Sequence, residues 1–483
     1  MKKYLSVLFI LTGLSIPSFA QPGNPDLTFG GTGIVQIVDF IGTANAVAVQ
    51  QDGKILIGGY WEDSVANQSC AIARFLDDGS LDSTFDNDGI LKTFYPGIIH
   101  SLAIQPDHKI VAGFSNLSAI SRLNFFRIQE NGPADSSFGF LGVVEIILGF
   151  TDIKCYAVAL QPDGKIIATG YGSTGLAADS IIVARLYTDG SPDSSFHSDG
   201  IGIYGVTSFS QGHDLLVDPD NKILITGSPS FVMRVDSTGV PDPSFNGTGV
   251  LQIQQPGFLT SYSVLVQPDA KIVIGGDQYV VRLQPNGNPD SLFGTNGFVN
   301  TQQYFTTDLT LQPDGKIVSV GGIVGFSGTD IAASRFTTGG VMDVSFGLTG
   351  ITAINISGND QATAVALQPD GKVVLASIQP SLQHYMNCIR LVNDPFLGVE
   401  EPGSTSITVF PNPANEWIRI SGLKSDRTFS IRVLNVLGIE VMSEYFESKT
   451  ESSIINLSEL KPGIYFLTVQ TSSITSTIKF VKN

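Results

Sequence analysis

The chain is predicted to be all-β: a seven-bladed β-propeller followed by a small immunoglobulin-like β-sandwich. Three observations predict this. Two motifs, Gln-Pro-Asp-Gly-Lys and Gly-x-x-Asp-x-x-Phe, each recur seven times at a period of roughly fifty residues. Each period holds four strand-like apolar runs, the content of one propeller blade. The repeats are also offset at the two ends of the chain, which suits a closed ring.

The first segment, residues 1–20, reads as a secretory signal peptide. Lys2 and Lys3 supply a positive start, Tyr4 to Ile16 is mostly apolar, and Ser18-Phe19-Ala20 places small residues where a signal peptidase cuts. Cleavage is expected between Ala20 and Gln21. Because Gln21 is not Cys, a lipoprotein anchor is not expected. No later stretch is long and apolar enough for a membrane helix.

Residues 21–392 carry the repeats. The first motif is intact at Gln161 to Lys165, Gln312 to Lys316 and Gln368 to Lys372, with looser copies ending at Lys54, Lys109, Lys222 and Lys271. It lies between apolar runs and reads as a hairpin turn, with proline presetting φ at its entry. The second motif begins at Gly23, Gly79, Gly132, Gly190, Gly239, Gly287 and Gly340. Its aspartates are Asp26, Asp82, Asp135, Asp193, Asp242, Asp290 and Asp343, and a Gly follows each Phe by four residues. The residue directly after Phe is Gly, Asp, His or Asn, types that tolerate a left-handed backbone. A compact turn with several positive-φ positions is expected, pinned by a buried Phe. His108 and His197 stand where other copies have Gly, so both are expected to be backbone substitutes.

A third mark is an arginine inside an apolar strand: Arg74, Arg127, Arg185, Arg234, Arg282, Arg335 and Arg390. The first six each precede the Asp of the next turn by eight residues, but Arg390 has no Asp after it and Asp26 has no Arg before it. The chain therefore starts and ends in the middle of one structural unit. A linear solenoid would need caps instead. In a ring, the first strand-like run (Gly33 to Val38) completes the last blade and removes the exposed sheet edge. The other runs of the first period are Ala46 to Gln50, Lys54 to Gly59 and Cys70 to Leu76. Arg paired with a turn Asp is expected to fix each blade junction.

This repeat resembles the delta-sixty repeat of bacterial secreted proteins. The Leu-Gln-Pro-Asp-Gly-Lys-Ile and Arg-Leu…Asp-Gly…Asp-x-Ser-Phe-Gly segments carry the resemblance from Gly23 to about Leu391. It implies a β-propeller and no particular activity.

Residues 393–406 hold two prolines, two glycines and two glutamates and read as a linker. Residues 407–483 show alternating apolar residues and turn signals, which suggest a sandwich of about seven strands. Pro411, Asn412 and Pro413 open it, Gly438 marks a turn, Lys461-Pro462-Gly463 marks another, and Lys479 lies in a basic end. This order resembles the type A C-terminal sorting domain of the Bacteroidetes type IX secretion system. The resemblance implies a partner, the type IX machinery, and transit through the periplasm to the outer surface or the medium.

Composition excludes several functions. Lys plus Arg is 27 against 44 Asp plus Glu, a net charge of −17, which opposes nucleic-acid binding. Cys70, Cys155 and Cys388 are odd in number and irregularly spaced, so neither a disulfide framework nor a zinc site is expected. The five histidines show no metal-ligand spacing, and no nucleophile elbow or phosphate loop appears. No cofactor or metal is expected, and a monomer is.

The two recurrent turns should share one end of the ring and build the scaffold. The other end carries loops that differ in length between copies, and binding usually resides on such loops. Its aromatic residues include Phe40, Tyr60, Trp61, Phe94, Tyr95, Phe209, Phe258, Tyr304 and Tyr385, which suit glycan or protein ligands. Glu62, Asp63 and His384 lie in loops that ring closure should make neighbours. The sequence thus favours a non-catalytic surface or secreted binding protein. A polysaccharide hydrolase or lyase would instead need two acids, or an acid and a His, converging on that end. A purely structural surface component is the third reading.

Overall fold

The computed structural model describes residues 21–117, 121–175, 179–207, 209–302, 305–325, 328–379, 384–394, 408–410, 414, 417–421, 428–435, 440–447, 452–461, 463–471 and 475–482. The signal segment, with Ala20, lies outside them, and Gln21 is the first described residue. Every helix or strand element among the described residues is a strand. The chain divides into two units, Met1–Asp394 and Pro395–Asn483.

The first unit holds seven four-stranded antiparallel blades. Blades 1 and 2 share one strand of 15 residues, Ile90–Ile104, whose first half closes blade 1 and whose second half opens blade 2. The innermost strands of blades 1 and 3–7 are Ile41–Val49, Asp152–Leu160, Gln211–Val217, Ser263–Val266, Phe305–Leu311 and Gln361–Leu367. Together with the inner half of Ile90–Ile104 they neighbour one another in a closed cycle, the seventh touching the first.

The run before each Gln-Pro-Asp turn is therefore innermost, and the run after each Phe turn is outermost. Blades begin one strand later than the sequence period. The outermost strand of blade 7 is Ile34–Ile37, paired antiparallel with Met386–Leu391 in the register Ile34↔Ile389 to Ile37↔Met386. This is the closure that Asp26 and Arg390 require.

Burial follows from the stacking. Second strands such as Ile166–Ser173 and Ile110–Asn116 are buried along nearly their whole length, because a sheet packs on each face. The apolar clusters lie between blades. One joins Ile55, Ile57, Ala71 and Ala73 of blade 1 to Val374, Ala376 and Cys388 of blade 7. Among the described residues no blade has a core of its own, so the stability of each depends on its neighbours.

The Phe turns form as expected. Phe29, Phe85, Phe138, Phe196, Phe245, Phe293 and Phe346 are fully buried. The residue after each Phe donates its N–H to the next blade, at the carbonyls of Asp78, Asn131, Asp189, Thr238, Asn286, Gly339 and Pro22. Each acceptor directly precedes a turn glycine. Pro22 completes the cycle through Gly347 N–H at 2.6 Å, and Gln21 Nε2 donates back to the Gly347 carbonyl, so the chain joins the ring at Gln21. His108 and His197 have φ of 66° and 47°, the left-handed values expected of Gly substitutes.

Asn393 and Asp394, read from sequence as linker, engage the ring. Arg335 donates to Asn393 Oδ1 at 2.7 Å and pairs with Asp394 Oδ2 at 2.7 Å. They stand where other blades continue into a Phe turn.

The second unit has a three-stranded sheet (Thr408–Phe410, Trp417–Ser421, Ser452–Asn456) and a four-stranded sheet (Glu440–Glu447, Thr428–Asn435, Gly463–Thr471, Thr475–Lys482). Its core includes Ile418, Ile420, Ile431, Val433, Leu467 and Phe480. Pro411, Asn412, Pro413, Gly438 and Pro462 lie outside the described residues. Lys461 accepts a bond from the Tyr465 hydroxyl at 2.8 Å, Gly463 opens a strand, and Lys479 lies in the last strand opposite Phe466.

Candidate functional site

The recurrent charges are spent on the scaffold. In blade 2, Arg127 Nε donates to Asp135 Oδ2 at 2.7 Å, Nη2 to Ser137 Oγ at 3.1 Å, and Nη1 to the carbonyl of Thr188 in blade 3. Lys109 Nζ, from the Gln-Pro-Asp turn, approaches the same Asp135 oxygen at 3.3 Å. The guanidinium lies 4.6 Å from the Phe138 ring centroid. The same Arg–Asp–Lys constellation recurs in the other six blades. The Arg–Asp pair therefore lies within a blade, and the expectation that it spans the junction is corrected. The junction is made by the other edge of the guanidinium. It reaches Glu130, Thr188, Ser237, Pro285, Thr338, Asn393 and Asp77, each three residues past the next blade's arginine. Burial pushes the aspartate pKa up. The bonds from the following Ser or Thr and the Arg charge outweigh it, leaving Asp82, Asp135 and Asp343 at about 2. Buried and already bonded, these arginines offer no free anion site.

The loop-end candidates are only partly brought together. Tyr60 is 7% exposed, which corrects its reading as a face residue. It lies in the second strand of blade 1, paired to Thr43 on one side and Cys70 on the other. Trp61 is half-buried and donates Nε1–H to the Thr93 carbonyl at 3.2 Å. Lys92 Nζ lies 4.5 Å from the Phe40 ring centroid and 5.6 Å from that of Trp61. Glu62 accepts from Gln68 at 3.4 Å. Asp63 caps its own loop, accepting from Val65 N–H, Asn67 N–H and Asn67 Nδ2, each at 2.9 Å. The His384 carbonyl accepts from Gly42 N–H at 2.9 Å, so ring closure brings its backbone to blade 1. Tyr385 is half-buried beside it. Among the described residues no hydrogen bond or ion pair joins Glu62, Asp63 and His384. Tyr304 lies outside the described residues.

Tyr95 is placed differently. It stacks on Phe114 at 6.2 Å and packs on Phe126 at 5.6 Å, and its neighbour Phe94 is 94% exposed. It lines a surface groove of about 840 Å³ around the outermost strand of blade 2, Val143–Ile146. Phe140 and Leu141 form an exposed apolar wall, and Glu145 and Ser191 add polar groups.

One site escaped the sequence reading. An axial cavity of about 310 Å³ is lined by residues from all seven blades. Asn45, His100, Tyr156, His213, Tyr262, Thr307 and Thr363 contribute one residue per blade. Six of them sit at register shifts, where a β-bulge re-aims a side chain, and Tyr262 directly precedes its strand. Their signal was a polar or aromatic residue five positions before each Gln or Asp of the first motif. Because its identity varies between copies, no motif emerged.

The next position holds Asp214 and Asp308, which tie blades together. Asp214 Oδ2 accepts from Val264 N–H of blade 5 at 2.8 Å, and Asp308 Oδ2 accepts from Val365 N–H of blade 7 at 2.8 Å. Ser263 Oγ donates to Asp308 Oδ1 at 2.8 Å. Burial, then the charge of Asp308, raises Asp214 to about 7, and burial raises Asp308 to about 6. Burial lowers His100 and His213 to about 4, so both rings are neutral at pH 7. Among the described residues no three His, Cys, Asp or Glu side chains group as a metal site.

Residues 408–483 match the family model described as secretion system C-terminal sorting domain. Residues 50–85, 161–196, 219–245, 267–293 and 312–346 match the β-propeller described as domain of unknown function DUF5122. The chain carries DUF5122 β-propeller repeats and a type IX sorting domain. That domain directs export by type IX secretion to the cell surface or extracellular space. Among curated proteins none matches the sequence. Of solved structures, a virginiamycin B lyase from Staphylococcus aureus is 13% identical, with 74% of this chain and 98% of that one covered and a TM-score of 0.49. PorZ, a surface component of the type IX secretion system of Porphyromonas gingivalis, is 13% identical, with 96% and 60% covered and a TM-score of 0.40. The chain spans 60% of that protein's length.

Proposed function

We propose that the mature protein is a non-catalytic binding propeller that takes a glycan or protein ligand outside the cell. The groove around Tyr95 carries this reading. It combines stacked and exposed aromatic side chains with a few polar groups on a rigid edge, the composition that suits ligand capture. The charged constellations favour binding over turnover, since their acids are held ionised within Arg–Lys networks and Asp63 is spent on its own loop. Glycan-array and surface-protein binding of the wild type, Tyr95→Ala and Trp61→Ala test it. Binding lost in Tyr95→Ala, without turnover of extracellular polysaccharides, supports the reading. Binding unchanged in both variants, or reproducible polymer cleavage by the wild type, overturns it.

A further inference from the structure

The axial cavity divides into two chemically different arcs. Blades 2–5 contribute a continuous aromatic wall: His100 meets Tyr156 edge-on at 5.2 Å, Tyr156 stacks with His213 at 5.3 Å, and His213 meets Tyr262 edge-on at 5.2 Å. Blades 6, 7 and 1 contribute Thr307, Thr363 and Asn45. The two threonines donate to the next blade, at the carbonyls of Ala362 and Ala44, each at 2.8 Å. Their hydroxyl oxygens remain acceptors, and the Asn45 amide adds donors.

Asp214 and Asp308 share this wall. The seven turn aspartates each pair with an Arg and a Lys, whereas among the described residues no cation pairs with Asp214 or Asp308. Asp214 accepts one bond on each oxygen from Leu215 and Val264. Asp308 accepts from Leu309 and Ser263 on one oxygen and from Val365 on the other. An ionised carboxylate has about four acceptor positions, so both retain capacity. Two partly buried acids facing one cavity without a counter-charge are a fit for a cation. The aromatic arc adds an apolar wall beside them.

We propose that the axial cavity binds one cationic amino-sugar residue, its ammonium group toward Asp214 and Asp308, its ring face on the Tyr156–His213 arc and its hydroxyls toward Asn45, Thr307 and Thr363. The volume is near the lower limit for ligand pockets and admits a single ring. The site is separate from the Tyr95 groove and does not depend on it.

The test is calorimetric titration of the mature full-length protein with glucosamine, glucose and N-acetylglucosamine, which share a ring and differ in charge. Glucosamine should bind at least tenfold more tightly than the two neutral sugars. Asp308→Asn and Asp214→Asn should each weaken it tenfold or more. Asn45→Ala, which among the described residues breaks only the bond with Thr43 Oγ1, should weaken all binding without unfolding the ring. Equal affinity for the three sugars, no glucosamine binding at high millimolar concentration, or full affinity in folded Asp308→Asn and Asp214→Asn each overturns the proposal.

Discussion

Replacing Arg127 by Met removes one of the seven buried guanidinium groups while keeping an apolar stem against Phe138. Four bonds go: to Asp135, Ser137, Gln105 and the Thr188 carbonyl of blade 3. Asp135 stays buried and keeps Lys109 at 3.3 Å, which is a quarter exposed, together with the Ser137 bonds. Breaking one side of a buried pair costs about 3–5 kcal/mol. The carboxylate pKa gives a second gauge. A fall from 3.8 to about 2 corresponds to about 2.5 kcal/mol of differential stabilisation, shared among Ser137, Arg127 and Lys109. We therefore expect a loss of about 3–4 kcal/mol in urea unfolding. For a cooperative ring of this length, with ~2 cal/mol/K per residue of unfolding entropy, the melting temperature falls by about 4–5 °C. The sign with pH follows. Asp135 has a folded pKa below its unfolded value, so its stabilisation is present above about pH 4 and is lost as pH falls toward 2. The variant's deficit should shrink over that window. A loss under about 0.5 kcal/mol at pH 7 would refute the view that these arginines hold the blades together.

Two further outcomes follow from local geometry. Gly249 has φ of +83°, and an added Cβ would sit 2.8 Å from both Asp242 N and Pro241 Cβ, so Gly249→Ala forces the turn backbone apart. A loss of at least about 2 kcal/mol is expected by thermal unfolding, and a neutral substitution would contradict the turn geometry. In the channel, Asp214 is raised from 3.8 to about 7, so the folded state keeps a proton that the unfolded chain releases between about pH 4 and 7. That destabilises the wild type as pH rises through the window. Asp214→Asn should therefore gain melting temperature relative to wild type between pH 4 and pH 8, and an unchanged difference would contradict the burial argument.

The fold was legible because each blade repeats its chemistry. The Gly and Phe positions of the turn, the Arg in its strand and the unmatched Asp26 and Arg390 all report backbone demands that recur sevenfold. Residues that act once were harder to read. The channel side chains were hidden because a β-bulge breaks the strict alternation by which a strand's faces are read. Tyr60 was misplaced because alternation does not reveal that neighbouring blades cover both faces of a second strand. Asn393 and Asp394 look like linker by composition, yet they complete the contacts of Arg335 and Lys316. Tyr95 was singled out as one loop aromatic among many. Only the packed Phe114 and Phe126 and the groove beside them distinguish it.

Closure by the first strand is the central claim, and a cross-strand disulfide tests it most directly. Gln36 lies opposite Asn387, and their side chains bond at 3.0 Å. Arg390 N–H donates to the Gly33 carbonyl, so three residues along the ladder Gln36 and Asn387 form a non-hydrogen-bonded pair, where Cβ atoms come closest. The native thiols are buried, with their pKa values raised by burial, and should stay out of the exchange. The double variant Gln36→Cys/Asn387→Cys, oxidised and mapped by mass spectrometry, should yield one intrachain link between the two peptides, with a raised melting temperature. Two free thiols, or a link found only between chains, would contradict a ring locked by its own first strand.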